Sequence, residues 1–123
     1  MSKTILVIDD EVDLLSLLEE ILQMEGYEVL TAKNTQQATE IWSENRERIN
    51  ILLTDVCISR VETGMAFAGK LQEEKPGLKV VYSSGHSHDT AISKYSLPDG
   101  AHFLQKPFQF EVLFARLKNC LAE

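Results

Sequence analysis

At 123 residues, 44% hydrophobic and 25% charged, the chain has the size and make-up of one globular domain whose core needs no disulfide or metal staple. A formal net charge of -7 without a basic stripe argues against a nucleic-acid binder, and no unbroken apolar run is longer than that of Ile5 to Ile8, which is far too short to cross a bilayer. Cys57 and Cys120 form neither a disulfide framework nor a zinc pattern, and no signal-peptide pattern opens the chain, so reduced thiols in a cytoplasmic protein are expected.

Thr4 to Ile8 reads as a buried strand, and Asp9, Asp10 and Glu11 follow it directly. A helix comes next. Leu14, Leu18 and Ile21 share one stripe with Leu15 and Leu22 beside it, Glu19, Glu20 and Glu25 face out, and Gly26 is the stop. Glu28 to Ala32 is a short strand. Asn34 or Thr35 caps a second helix that carries Ala38, Ile41 and Trp42 at helical spacing and frays in the charged stretch 44–48. Ile49 to Asp55 has no polar alternation around Ile51, Leu52 and Leu53, as a strand buried on both faces requires, and it ends on one carboxylate.

A moderately polar loop, 56–63, leads to a helix over 64–75 with Phe67, Ala68 and Leu71 inward; Pro76-Gly77 breaks it. A fourth strand over 78–82 ends in Ser83-Ser84-Gly85. Residues 86–96 are polar and weakly periodic, at best a short helix around Ala91, Ile92 and Tyr95. Pro98-Asp99-Gly100 is a turn, Ala101 to Leu104 a fifth strand, and the last helix carries Phe110, Leu113, Phe114, Leu117 and Leu121. Strands and helices alternate throughout, which predicts an α/β fold with a parallel sheet covered on both faces by right-handed crossovers.

Ligands of such sheets bind at the carboxyl ends of the strands. Collected there are Asp9, Asp10 and Glu11, then Asp55, then Ser84 with the backbone near Gly85, then Lys106. Clustered carboxylates raise one another's pKa, and hard oxygen donors of this kind select Mg²⁺. A lysine, a hydroxyl and a close backbone suit a phosphoryl group, and a carboxylate can attack phosphorus to form an acyl phosphate. Taken singly, each piece has a plain reading: a helix cap, a turn residue, a loop. The acid excess itself is read either as solubility or as a cluster that holds a cation.

The chain resembles the receiver domain of two-component response regulators. The resemblance rests on Ile-Leu-Val-Ile-Asp-Asp-Glu at 5–11, Leu-Leu-Thr-Asp-Val at 52–56, Tyr-Ser-Ser-Gly-His at 82–86 and Gly-Ala-His-Phe-Leu-Gln-Lys-Pro-Phe at 100–108, and it covers nearly the whole chain. It is chemotaxis-receiver-like. It implies a flavodoxin-like, doubly wound (βα)5 sheet in the order 2-1-3-4-5. It also implies roles. Asp55 accepts the phosphoryl group. Asp10, Asp9, Asp55 and the backbone carbonyl of Cys57 hold Mg²⁺. Lys106 pairs with the phosphoryl oxygens. Ser84, with Ser83 as the competing choice, is the switch hydroxyl, and Phe103 the switch aromatic. Cys57 and His86 tune dephosphorylation.

The implied partners are a histidine kinase or phosphotransfer domain, and an output domain or target protein reached through residues 89–95, Phe103 and the last helix. The chain is then one receiver domain over 1–123 with no output domain, either stand-alone or part of a larger regulator or hybrid kinase. It would turn over no external substrate, catalysing only its own phosphorylation and dephosphorylation.

The chain departs from the family pattern after Asp55. Ile58-Ser59 stands where a Met-Pro pair is usual, and Gly64 arrives one residue late. His86 and His88 read as surface residues or as a metal pair. Two rival functions remain. A degenerate receiver, binding partners without phosphorylation, would lack an acid, the lysine or the acceptor. A flavodoxin-like cofactor binder would want a glycine- and hydroxyl-rich loop after the first strand, where Asp9-Asp10-Glu11 repels phosphate.

Overall fold

The alternation becomes, in the computed structural model, β1 (Thr4–Ile8), α1 (Val12–Met24), β2 (Glu28–Ala32), α2 (Thr35–Asn45), β3 (Ile49–Asp55), α3 (Gly64–Glu74), β4 (Lys79–Ser84), α4 (His88–Tyr95), β5 (His102–Gln105) and α5 (Phe110–Ala122). The structure describes residues 2–58, 63–95, 97 and 101–123, without the side chains of His88 and Asp89. The expected turn at 98–100, the Ser59 departure and the His88 half of the histidine pair lie outside the described residues. All strand pairs are parallel, in the order β2-β1-β3-β4-β5. This is the doubly wound sheet that the resemblance implies.

Successive side chains of a strand point to opposite faces, so a wholly apolar strand serves two cores. Ile5 and Val7 of β1, with Ile51 and Leu53 of β3, pack under α1 and α5 with Leu15, Leu18, Leu22, Leu113 and Leu117. Leu6 and Ile8, with Leu52, pack under α2, α3 and α4 against Ala38, Trp42, Phe67, Leu71 and Ala91. Asn34 settles the start of α2. Its side chain accepts from Gln37 N at 2.8 Å while Gln37 Oε1 accepts from Lys33 N at 3.0 Å. Gly26, at φ 97°, ends the turn after α1 in a conformation that costs glycine little.

Three expectations shift. β4 continues through Ser83 and Ser84, because its neighbours continue: Asp55 pairs with Ser83, and Gln105 with Ser84. The ladder overrides the polarity of the two serines. Glu19 is half-buried. The buried line of α5 is Leu113, Leu117 and Cys120, whereas Phe110 is 37% exposed and Phe114 and Leu121 only line the core edge. Burial, with the charge of Glu123, pushes the Cys120 thiol up to about 11, so it behaves as a small apolar side chain.

Gly64 opens α3 against the end of β3. Its N–H donates to Val56 O at 2.8 Å, and a Cβ there would collide with the Asp55 carbonyl oxygen and meet Thr54 Cγ2 at 3.2 Å. Gly64→Ala is therefore expected to destabilise by about 1–3 kcal/mol, the usual range for overpacking. Urea unfolding tests this, and an unchanged midpoint would mean that the β3–α3 connection yields freely.

Candidate functional site

Four strands deliver their last residues to one edge of the sheet. Asp9, just past β1, is buried (3% exposed) and held from both sides: its Oδ1 accepts from Glu11 N at 2.9 Å and its Oδ2 from Lys106 Nζ at 2.7 Å. Asp55 ends β3. Its Oδ1 accepts from Cys57 N at 3.1 Å and its Oδ2 from Lys106 Nζ at 3.1 Å. Lys106 follows β5 and donates its backbone N–H to Ser84 O at 2.7 Å, so β4 fixes the lysine's root. The Lys106–Pro107 peptide is cis.

Carboxylate oxygens of Asp9, Asp10 and Asp55 lie within 4.8 Å of one another. They are hard donors converging on one point, the set that suits Mg²⁺. Burial raises Asp55 above the ordinary carboxylate range; Lys106 and the Cys57 N–H oppose this without cancelling it, and the charge of Asp9 adds to it. At Lys106 the balance tips the other way. Burial alone would lower it, but the hydrogen bond to Asp9 and the charges of Asp55 and Asp9 hold it above its ordinary value. The lysine lies nearer to Asp9, at 2.7 Å, than to Asp55, at 3.1 Å, and Asp55 stays raised in spite of it.

The other expected residues cluster around this centre. Ser84 is buried, and its Oγ accepts from His86 N at 3.0 Å. Ser83 is also buried, but its carbonyl accepts from Val56 N at 2.8 Å and its place in the ladder is beside Asp55. Cys57 and His86 are exposed, and Phe103 is half-buried on β5 against the core of the α2–α3–α4 face. A cleft of about 520 Å³ runs from Asp55 and Lys106 to Leu17, Phe108 and Phe110.

One neighbour was missed as a site residue. Tyr95, at the end of α4, sits against His86, with its hydroxyl 3.3 Å from Nε2. Nothing in the weakly periodic stretch 86–96 marks it; only the tertiary contact does.

A family model described as the response regulator receiver domain matches residues 5–118. The chain belongs to that family. Among curated relatives, the nitrogen assimilation regulatory protein NtrX of Azorhizobium caulinodans is 32% identical over 125 residues, covering 98% of this chain and 26% of that protein. A receiver domain protein of Clostridium thermocellum superposes with a TM-score of 0.82 at 30% identity, covering 98% and 94% of the two chains. The chemotaxis protein CheY4 of Vibrio cholerae reaches a TM-score of 0.84 at 22% identity, covering 98% and 100%, a likeness that shows the fold. This receiver spans only 26% to 50% of the length of the curated relatives it matches. Among the described residues, no helix is long and apolar enough to cross a membrane.

Proposed function

We propose that this receiver is a cytoplasmic signalling phosphoacceptor that takes a phosphoryl group from the phosphohistidine of a histidine kinase or phosphotransfer domain onto Asp55. The observation that carries the reading is the contrast between its acids. Both acids accept one backbone N–H and share the Lys106 cation, but Asp9 is only 3% exposed, whereas Asp55 is 15% exposed and opens onto the cleft. An Asp55 oxygen forms the new P–O bond as the donor's P–N bond breaks, and the imidazole leaves with the electron pair. Asp9, Asp10, Asp55 and the Cys57 carbonyl would hold Mg²⁺, which when bound neutralises phosphoryl oxygens.

Lys106 stands ready to pair with a phosphoryl oxygen in the same way. The Ser84 Oγ, which accepts from His86 N, keeps its own O–H to donate to another. That bond would draw the loop after β4 inward and let Phe103 turn into the space beneath. The change would be read by an output domain or target protein at residues 89–95, Phe103 and α5. Water attack on phosphorus then breaks the P–O bond and restores the carboxylate. The only chemistry catalysed is the protein's own modification.

Intact mass after incubation with Mg²⁺ and a small phosphodonor tests this. The wild type should gain one phosphoryl mass and Asp55→Asn none. An adduct that persists in Asp55→Asn refutes the assignment. A wild type that gains no mass would instead favour the phosphorylation-independent binding module.

A further inference from the structure

The cleft onto which Asp55 opens is polar at one end and apolar at the other. Gly85, Lys106 and Glu11 line the polar end; Lys106 Nζ lies 3.1 Å from Asp55 Oδ2 and 3.7 Å from Glu11 Oε1. The apolar end is built from two elements. Leu14 and Leu17 stand three residues apart on α1 and so share a face, while Phe108 and Phe110 come from the chain entering α5. Leu14 and Phe108 are half-buried against the core under α1 and α5, which anchors this end. Leu17 and Phe110 remain 42% and 37% exposed. The cleft holds about 520 Å³, within the usual range of small-molecule sites. Phosphoryl transfer to Asp55 engages only its polar end, and the apolar end has no part in that chemistry.

We infer that the apolar end is a leaving-group subsite. Leu17 and Phe110 hold the departing amine of a phosphodonor, and the receiver favours donors whose phosphorus is bonded to an amine with an apolar body. The inference rests on the reading of Asp55 as acceptor. In-line displacement puts the leaving group on the side of phosphorus away from the attacking Asp55 oxygen, and the cleft gives it room. Charge selects an amine. A phosphoramidate reacts in the form protonated on nitrogen. An Asp55 oxygen bonds to phosphorus, the P–N bond breaks, and the amine leaves neutral with the electron pair. The Glu11 carboxylate attracts the cationic nitrogen of such a donor and repels a group that departs as a carboxylate, as from an acyl phosphate. The apolar residues add affinity by taking the body of the amine out of water.

Donor preference decides. The rate of phosphoryl mass gain in Mg²⁺ is measured with N-methylphosphoramidate and with N-benzylphosphoramidate, each below saturation. The benzyl-to-methyl ratio within one protein cancels effects on the acceptor and on the metal. Phe110→Ala and Leu17→Ala should each lower that ratio by about three- to tenfold, as part of the ring's buried surface is lost. Val112→Ala, exposed on α5 but outside the cleft, should keep the wild-type ratio. Glu11→Gln should raise the rate with benzoyl phosphate relative to N-benzylphosphoramidate by about twofold or more, because the same ring then departs as a carboxylate without the repulsion. A ratio that stays put in both Phe110→Ala and Leu17→Ala, or that moves as far in Val112→Ala, overturns the subsite. An unchanged benzoyl preference in Glu11→Gln overturns the selection by charge. A wild type that takes the phosphoryl group on Asp55 from the methyl donor but not from the benzyl donor overturns this inference alone; one that takes it from neither overturns the function above as well.

Discussion

Lys106→Met is expected to destabilise the metal-free protein by about 2–4 kcal/mol, roughly 8–15 °C in melting temperature for a domain of this size. Methionine keeps the aliphatic stem, so the change isolates the charge. The ammonium lies 2.7 Å from Asp9 Oδ2 and 3.1 Å from Asp55 Oδ2, with only 13% of the lysine side chain exposed. Without it, two carboxylates face each other at an edge of low dielectric, and each keeps one backbone N–H. Glu11 hardly enters the balance, because its oxygen is 3.7 Å away and its side chain 65% exposed. The figure falls below the cost of breaking a fully buried pair because the open side of Asp55 admits water. Mg²⁺ should recover much of the loss, since it supplies positive charge to the same acids. Thermal melts with and without the metal check both statements. A metal-free variant within about 2 °C of the wild type would mean that water, not Lys106, compensates Asp9.

How legible the site is depends on whether its parts lie next to a local signal. Asp9 and Asp10 follow the apolar run Ile5 to Ile8, and Asp55 follows Ile51 to Leu53 with one threonine between, so reading strand ends in order finds them. Lys106 lies just beyond the apolar Phe103-Leu104 pair and is found the same way. The strand order is different in kind. Periodicity yields parallel strands and two covered faces, whereas 2-1-3-4-5 came only with the family resemblance. The ends of β4 were misjudged because Ser83 and Ser84 are in the sheet by virtue of Asp55 and Gln105 across from them, which no local pattern records. Gly64 was visible as a displaced glycine, but its reason, the carbonyl of Asp55 pressed against it, is a tertiary fact. Phe110 fits the stripe of α5 yet turns to the cleft, because the first turn of that helix lies beside Lys106 and Phe108 rather than over the sheet. Tyr95 is the extreme case. Its partner His86 is nine residues away, a distance with no helical or strand period behind it.

Mg²⁺ at about 100 times its dissociation constant should stabilise the wild type by about 2.7 kcal/mol, because it binds the folded acid cluster and not the unfolded chain. Asp9, Asp10 and Asp55 converge within 4.8 Å, and Lys106 offsets only part of their repulsion. Asp10→Asn should therefore raise the stability of the metal-free protein while weakening its response to Mg²⁺. The pH dependence has a definite sign. Asp55 is raised above its ordinary value of 3.8, chiefly by burial, so between that value and its folded pKa the folded state binds more protons than the unfolded one. Its contribution to metal-free stability is present in full below 3.8 and is lost as pH rises through the folded pKa. The stability difference between wild type and Asp55→Asn should thus move against the wild type as pH increases from the acid side. Mg²⁺ reverses that trend, since the metal competes with the proton for the same oxygens and binds better as pH rises. Denaturant unfolding of wild type, Asp10→Asn and Asp55→Asn across pH, with and without Mg²⁺, measures all of this. A Mg²⁺-dependent shift of equal size in wild type and Asp10→Asn would remove Asp10 from the metal site. A difference between wild type and Asp55→Asn that does not move with pH would show that Lys106 already compensates Asp55 in full.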